Sequence, residues 1–386
     1  MPEKNKRDYR AELEALFEYK QYPPDSFNLQ DTFYGKNIVL YGAGVSSIWF
    51  FEIIKDIFGY APSLVLDKRF ETPSLFHDVP ARSPDEFNVD DTEAKQSVVV
   101  ICHGNPVVAG EMTHVATKLG YTDIIHLRDI YPIHNPFSQP DYAFDEGIDF
   151  FLKRKRDILL AFELMEDPMS QEVFLAYLST HMLRKPEIVP SRPEHEQYFP
   201  SDIVLNKGYR SFVNIGSYDG DVVRSLHANK GKVDEIVCLE ADPDIFKRLH
   251  TYLESASGLL ARNVVALPCA AYSNERVVNY TSATGLGSRI SEHGSLKVQA
   301  ISLDHVLPNL APTMISMDIE GAEPEALKGA ERLIATHSPD LAICVYHSPE
   351  HVWQIPLYLV SLDLGYRFYL RNYTSFCTET VLYATL

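Results

Sequence analysis

Twice in this chain an apolar strand runs into a glycine-rich elbow and then into a helix. The first instance is "NIVLYGAGVSSIWFFEIIKD", residues 37–56, and the second is "FVNIGSYDGDVVRSL", residues 212–226. Near-continuous apolar strands separated by helices predict parallel sheets covered on both faces. At 386 residues the chain exceeds one ordinary core, so two such sheets joined by a connector are expected.

The fold class is therefore α/β, with two doubly wound Rossmann-like domains. In the first, strands are predicted at "NIVLYG", at "SLVLD" ending in Asp67, at "SVVVICHGN" and at "DIIHL". A Pro-rich stretch over residues 132–140 marks a boundary. Apolar residues at helical spacing follow over 141–183, and "KPEIVPSRPEHEQYFP" closes this helical connector. From Tyr209 onward, strands are expected at "SFVNIGS", "EIVCLEA", "VVALPCAAY", "TMISMDI" and "LAICVYH", with helices after the first, second, fourth and fifth. The C-terminal "YRFYLRNYT" and "TETVLYATL" should pair as an antiparallel hairpin. Five parallel strands followed by such a hairpin resemble the layout of the S-adenosylmethionine-dependent methyltransferase fold. The expected boundaries are 1–135, 136–200 and 201–386.

A net charge of −18 and a pI near 5.2 disfavour nucleic acid and anionic membrane as partners, because an acidic surface gains nothing from counterion release. A small anionic substrate is not excluded, since a local Arg or Lys cluster outweighs the global sign. The five cysteines are an odd number without a CxxC pair, which suits burial as thiols in a reducing compartment. The N-terminus lacks the apolar core of a signal peptide, and no run of about 18 apolar residues is present. A cytoplasmic protein without a membrane span is expected, with a homodimer as the prior for its assembly.

Gly216 ends the first strand of the second domain and Gly220 opens the next helix. A glycine lets the backbone approach a ligand closely, and the helix N-terminus offers unpaired N–H groups and partial positive charge. With Ser217, Tyr218 and Asp219 between them, these groups suit the carboxylate of a methionine moiety, and Asp219 or Asn214 suits its ammonium. Glu240, ending the second strand, can accept hydrogen bonds from both hydroxyls of an adenosine-type ribose. Ala241 follows it, and Asp242 serves equally well as a helix N-cap. Cys269, Ala270 and Ala271 would form a small-residue wall beside adenine. Asp318 and Glu320 alternate with apolar residues in "ISMDIEG", so both acids fall on one side at the edge where open α/β sheets bind ligands. The plainer alternative is that they cap the following helix.

The motifs "VNIGSYDGD", "LEADPDIFKRL", "AAYS", "ISLDHVL", "ISMDIEGAEPEALKGAERLI" and "PDLAICVYH" occur in this order. Together they resemble the FkbM family of methyltransferases across about residues 198–386. The resemblance implies S-adenosylmethionine as cofactor and O-methylation of a hydroxyl, on a sugar, a glycoconjugate or a natural-product-like small molecule. Two positions depart from the family pattern: Asn214 stands where an Asp is usual, and Ser316 where a Lys commonly precedes the acid pair.

A hydroxyl is a poor nucleophile until its proton is taken, and a positioned base contributes about 10²–10⁴-fold. His347, in "CVYHSPEH", is the first candidate, because a neutral imidazole is basic near physiological pH. Asp318 or Glu320 is the alternative, the other acid orienting acceptor or cofactor. A helix cap near Pro349 is the plainer reading of His347, and His351 is expected to face solvent. Asp318, Glu320 and His347 are donor types that suit a divalent metal, but their spacing is not diagnostic and no metal is assigned. The loop "TSATGLGSRISEHGS", residues 281–295, is either a lid bringing Arg289 or His293 to the acceptor or an ordinary long connection. Tyr198 and Phe199 either cover the cofactor or pack a domain junction.

In the first domain, Gly42 and Gly44 fit the first two positions of G-x-G-x-x-G, and Ser47 replaces the third glycine. With Ser46 and Asp67 they form a candidate nucleotide site, and His103 reaches the same sheet edge. A role in binding a nucleotide or nucleotide-sugar, or in dimerisation, is expected there. Two other readings compete with methyl transfer: an NAD(P)-dependent oxidoreductase using this first elbow, and a non-catalytic nucleotide-binding interaction protein.

Overall fold

The computed structural model describes residues 7–21, 28–86, 90–103, 106–130, 148–183, 189–282, 288–291, 294–374 and 377–386. The Pro-rich stretch 132–140 lies outside the described residues. The chain divides into two compact units, one from Tyr22–Pro136 with Leu183–Pro186, the other from Met1–Gln21, Phe137–Met182 and Glu187–Leu386. Among the described residues no helix is long and apolar enough to cross a membrane, and all five cysteines are buried and outside any disulfide.

The first unit holds β1 (Asn37–Tyr41), β2 (Leu64–Leu66), β3 (Ser74–Phe76), β4 (Val79–Arg82), β5 (Ser97–Ile101) and β6 (Ile124–His126). They form one sheet in the order β3-β4-β2-β1-β5-β6. All neighbours run parallel except β3 and β4. That hairpin has no apolar signature in the sequence. It is set by its turn, where His77 and Asp78 both take positive φ (48° and 66°), the two-residue geometry that matches strand twist.

The larger unit carries β7 (Ser211–Ile215), β8 (Val233–Leu239), β9 (Ala261–Leu267), β10 (Ala270–Ala271), β11 (Arg276–Thr281), β12 (Arg289–Ile290), β13 (Leu296–Ile301), β14 (Met314–Met317), β15 (Asp340–Cys344), β16 (Arg367–Asn372) and β17 (Thr380–Thr385). Seven of these form the main sheet, ordered β16-β17-β15-β14-β7-β8-β9. The strands β7, β14, β15 and β17 are buried at every residue, as a sheet covered on both faces requires. The five parallel strands and the terminal hairpin, with β17 antiparallel to both β15 and β16, are as the sequence predicts.

Two features differ from expectation. "LPCAAYS" does not extend the third strand. β9 stops at Leu267, and Ala270–Ala271 instead join a small second sheet, β10-β13-β11-β12. Nor is "AEPEALKGAERLI" one helix. It breaks into Glu323–Lys328 and Glu331–His337, because Gly329 lies against the Tyr272 carbonyl, whose oxygen would sit 1.9 Å from any Cβ.

The sheet order reverses between β7 and β14, whose carboxyl ends bound the crevice where open α/β sheets take ligands. Here Gly216 has φ +81°, and a Cβ on it would lie 1.8 Å from the Asp318 carbonyl oxygen. Only glycine satisfies both conditions.

The connector helices Asp149–Lys153, Lys155–Glu163 and Pro168–Leu183 fall within the larger unit. The segment between the last two covers the sheet edge at β16. Glu166 N–H donates to the Phe368 carbonyl at 3.0 Å, and Leu370 N–H donates to Ser170 Oγ at 2.9 Å. An edge strand so covered offers fewer open groups for pairing with other chains. Arg371, only 2% exposed, fastens this cover by donating to Asp167 Oδ2 at 2.6 Å and Asp202 Oδ2 at 2.9 Å. Burial alone would raise the Asp167 pKa, but hydrogen bonds from Arg371 and Ser170 bring it below its ordinary value. Its contribution is therefore present above the usual carboxylate range and is lost as pH falls through the depressed pKa. Asp167→Ala leaves a buried guanidinium half-paired, and urea unfolding should show a loss of about 2–3 kcal/mol at neutral pH that shrinks on acidification. A change within about 0.5 kcal/mol, the usual surface value, would contradict this role.

Candidate active site

The second elbow is built from backbone outward. Gly216 N–H and Ser217 N–H both donate to the Leu239 carbonyl, at 3.0 Å each. Tyr218 follows with positive φ (47°) and turns its N–H onto Glu240 Oε2 at 2.9 Å, while Asp242 N–H donates to Glu240 Oε1 at 2.8 Å. Glu240 is 6% exposed. Burial pushes its carboxyl up to about 7 despite these two backbone donors, and among the described residues no cation pairs with it. Gly220, at φ +94°, is the N-cap of helix Asp221–Lys230 and leaves that helix without a side-chain cap.

Across the crevice stands a cluster of acids around one imidazole. Glu323, wholly buried, accepts from Ile319 N–H at 3.0 Å and pairs with His347 Nδ1 at 2.8 Å through the same Oε1. The His351 ring approaches its other oxygen at 3.4 Å. On its far side, His347 Nε2 faces Asp318 Oδ1 at 3.2 Å and Glu320 Oε2 at 3.5 Å. It makes no well-directed hydrogen bond with either. Burial would lower the His347 pKa, but the charges of Glu323 and Glu320 and its contacts to Asp318 and Glu323 outweigh it and raise the pKa well above the ordinary value. Burial raises Glu323 too, yet the His347 charge and hydrogen bond hold it down to about 2. Glu320 has positive φ (54°), a conformation costly for a non-glycine residue. Burial pushes it up to about 7, with His347 opposing and Asp318 reinforcing.

A second layer supports the acids. Tyr198 Oη donates to Asp318 Oδ2 at 3.1 Å. Glu379 accepts from Gln197 Nε2 at 2.7 Å and from Tyr346 Oη at 3.3 Å, and burial pushes it up to about 7.

Residues 212–369 match the family described as the methyltransferase FkbM domain. Over that segment, less than half of the chain, the sequence is similar to FkbM methyltransferase domains. No curated protein sequence matches the chain. Among solved structures, a methyltransferase FkbM from Methylobacillus flagellatus KT is 21% identical, with a TM-score of 0.72 over 97% of this chain and 98% of its own. A fibrillarin from Aeropyrum pernix with bound S-adenosyl-L-methionine is 13% identical, with a TM-score of 0.31 over 48% of this chain and 70% of its own.

Within the FkbM domain, Gly216, Ser217, Tyr218, Asp219, Gly220 and Glu240 form one elbow, and Asp318, Glu320 and His347 come together opposite. Ser217 is fully buried and donates to the Asn214 carbonyl, so its side chain serves the turn. Asp219 pairs with Arg224. Asn214 is buried in β7 and donates to Ser316 Oγ at 3.0 Å, which joins the two family departures to each other, while its Oδ1 has no hydrogen-bond partner. Asp242 is the N-cap of helix Pro243–Leu260, and it also accepts from Ser282. Ala270 and Ala271 are buried in the small sheet, against which Ala241 packs.

Other expectations are corrected or fall outside view. His347 bonds to Glu323 and caps no helix. His351 is buried toward Glu323 rather than solvated, because its helix begins beneath the acid cluster. Arg289 lies close enough to Glu320 to oppose its upward shift, and His293 lies outside the described residues. Sequence reasoning missed Glu323, Gln197, Tyr346 and Glu379. The i,i+4 pair His347 and His351 was the available signal for a shared acid.

In the first unit, Gly42 has φ +108° and its N–H donates to the Leu66 carbonyl at 2.7 Å. Gly44 is the N-cap of helix Val45–Phe58, and the buried Ser47 hydroxyl donates to the Gly42 carbonyl. The Ser46 side chain is outside the described residues. Asp67 accepts from Ala43 N–H at 2.7 Å, as Glu240 does from its own elbow, but Arg69 pairs with it at 3.0 Å and also donates to the Ala43 carbonyl. His103 is exposed at the end of β5.

Because Glu240 holds its proton to about 7 when folded and to the ordinary 4.5 otherwise, the native state binds the extra proton between those values. Its burial therefore costs stability progressively as pH rises through that window. Glu240→Gln removes the ionisation, so its stability relative to wild type should climb between about pH 4.5 and 7 in the ligand-free protein, by an amount on the order of 3 kcal/mol. Parallel stability curves for the two proteins would show that Glu240 is not so buried.

Proposed function

We propose that this protein methylates a hydroxyl of a sugar, a glycoconjugate or a natural-product-like small molecule, and that the crevice between β7 and β14 is where it does so. The observation that carries the reading is Glu240, a buried carboxylate without a cation, tied to a glycine elbow and facing an acid pair across the sheet's switch point.

The residues fit the cofactor. Glu240 would hold the ribose hydroxyls, and Ala270 and Ala271 would lie near adenine. The uncapped start of helix Asp221–Lys230 would receive the methionine carboxylate. The unpartnered Asn214 Oδ1, with Asp219, would take the ammonium. When bound, S-adenosylmethionine supplies an electrophilic methyl group on a sulfonium.

Asp318 and Glu320, with side chains 29% and 18% exposed, are the groups that reach an acceptor. One takes or polarises the hydroxyl proton while the other orients the alcohol. His347, 1% exposed and bonded to Glu323 behind it, positions the two acids. Its ring is held charged rather than free as a base, so the proton-accepting role passes to the alternative that the sequence left open. In the first unit, Arg69 already occupies Asp67, which favours a scaffold or dimerisation role over a dinucleotide site.

Calorimetric titration with S-adenosylhomocysteine and with NADH separates the readings. S-adenosylhomocysteine should bind wild type, Glu240→Ala should weaken it at least about tenfold through loss of charge-assisted hydrogen bonds, and NADH should not bind. Tight NADH binding without S-adenosylhomocysteine binding would favour the oxidoreductase. Once an acceptor is in hand, His347→Ala should lower kcat by roughly 10²-fold or more while leaving S-adenosylhomocysteine affinity intact. Unchanged turnover would remove His347 from the machinery.

A further inference from the structure

The acid cluster has the form of a cation site. Among the described residues, Asp318, Glu323 and His347 can each place one donor atom within 4.8 Å of the others. The hydrogen bonds divide these donors into two layers. Glu323 Oε1 is committed to Ile319 N–H and His347 Nδ1. Nε2 is thereby left pointing away from Glu323, toward Asp318 Oδ1 and Glu320 Oε2.

That nitrogen is buried and has no hydrogen-bond partner, so it is aimed between the two carboxylates rather than at either. Its separations of 3.2 and 3.5 Å from their oxygens match the edges of a coordination polyhedron. Bonds of about 2.1 Å to a divalent ion place adjacent ligands about 3.0 Å apart in an octahedron and about 3.4 Å apart in a tetrahedron, so both carboxylate oxygens stand within a few tenths of an ångström of a ligand position. A carboxylate donating order to the far nitrogen of a ligating histidine is the usual outer shell of such a site. The partial exposure of Asp318 and Glu320 leaves the remaining coordination positions open to water or a ligand oxygen. Glu320 itself has positive φ, and Arg289 is the nearby competing positive charge.

We propose that Asp318, Glu320 and His347 bind a divalent cation of the Mn²⁺ type, with Glu323 as the positioning residue behind the histidine. Two carboxylates and one imidazole match a borderline ion, which would replace the Nε2 proton that the surrounding acids hold on the ring of the ion-free protein. What the ion does rests on the methyltransferase reading: a hydroxyl bound to it is more acidic, which would deepen the role given above to the acid pair. Whether it binds does not rest on that reading.

The test uses the whole protein, stripped with EDTA, dialysed and titrated with Mn²⁺ alone, with free Mn²⁺ read by electron paramagnetic resonance. One Mn²⁺ per chain is expected at submillimolar concentration. Glu320→Gln and His347→Ala should each weaken binding at least tenfold. Glu323→Gln should weaken it about 10–100-fold, and the distant Glu14→Gln should leave it unchanged, with circular dichroism confirming that each variant is folded. Wild type that leaves all the Mn²⁺ free overturns the proposal whatever the variants do, as does binding undiminished in folded Glu320→Gln and His347→Ala. Titration of S-adenosylhomocysteine into the same samples separates the two claims. Its binding without Mn²⁺ binding removes the cation and keeps the methyltransferase reading, and the converse removes the cofactor reading and keeps the cation.

Discussion

The close approach of Gly216 to the Asp318 carbonyl fixes the geometry of the whole site. It brings the ends of β7 and β14 together at the point where the sheet order reverses, and only a residue without a Cβ permits it. From one side of that contact the chain turns through Tyr218 onto Glu240. From the other it turns through Glu320 and Gly321, both at positive φ, into Glu323 and so onto His347. Glu240 and the acid pair thus lie at the same edge of the sheet because two backbones touch.

Two buried carboxylates then divide the work. Among the described residues Glu240 accepts from backbone N–H groups and pairs with no cation, so burial dominates and its carboxyl rises to about 7. Glu323 is more deeply buried yet falls to about 2, because an imidazole lies 2.8 Å away. A carboxylate left without a charge partner gains from a ligand that brings donors, whereas one already paired acts as structure. The same contrast separates the two elbows, for Arg69 holds Asp67 below its ordinary pKa and nothing plays that part at Glu240.

The elbows, the five parallel strands and the C-terminal hairpin were legible because each depends on local pattern: apolar runs, glycines at turns, paired aromatic strands. The strand ends that carry Glu240, Asp318, Glu320 and His347 were legible too, since topology alone places them, and the structure gathers the last three around one imidazole. The small sheet was not legible, because Ala270 and Ala271 are too few to show an alternation, and they pair with β13 across a long loop. The break at Gly329 was hidden for a similar reason, as the Tyr272 backbone that demands a glycine lies far away in sequence. Glu323 read as an ordinary first-turn acid of a helix. Only the arrival of His347 and His351 from another strand end reveals its role.

The second elbow is proposed as the cofactor site, and the most direct measurement of that is a crystal structure of the protein with S-adenosylhomocysteine bound. The ribose hydroxyls should lie on Glu240 and the sulfur should face Asp318 and Glu320 across the crevice. A nucleoside seated instead at Gly42 and Asp67, with the Glu240 crevice bypassed, would contradict it.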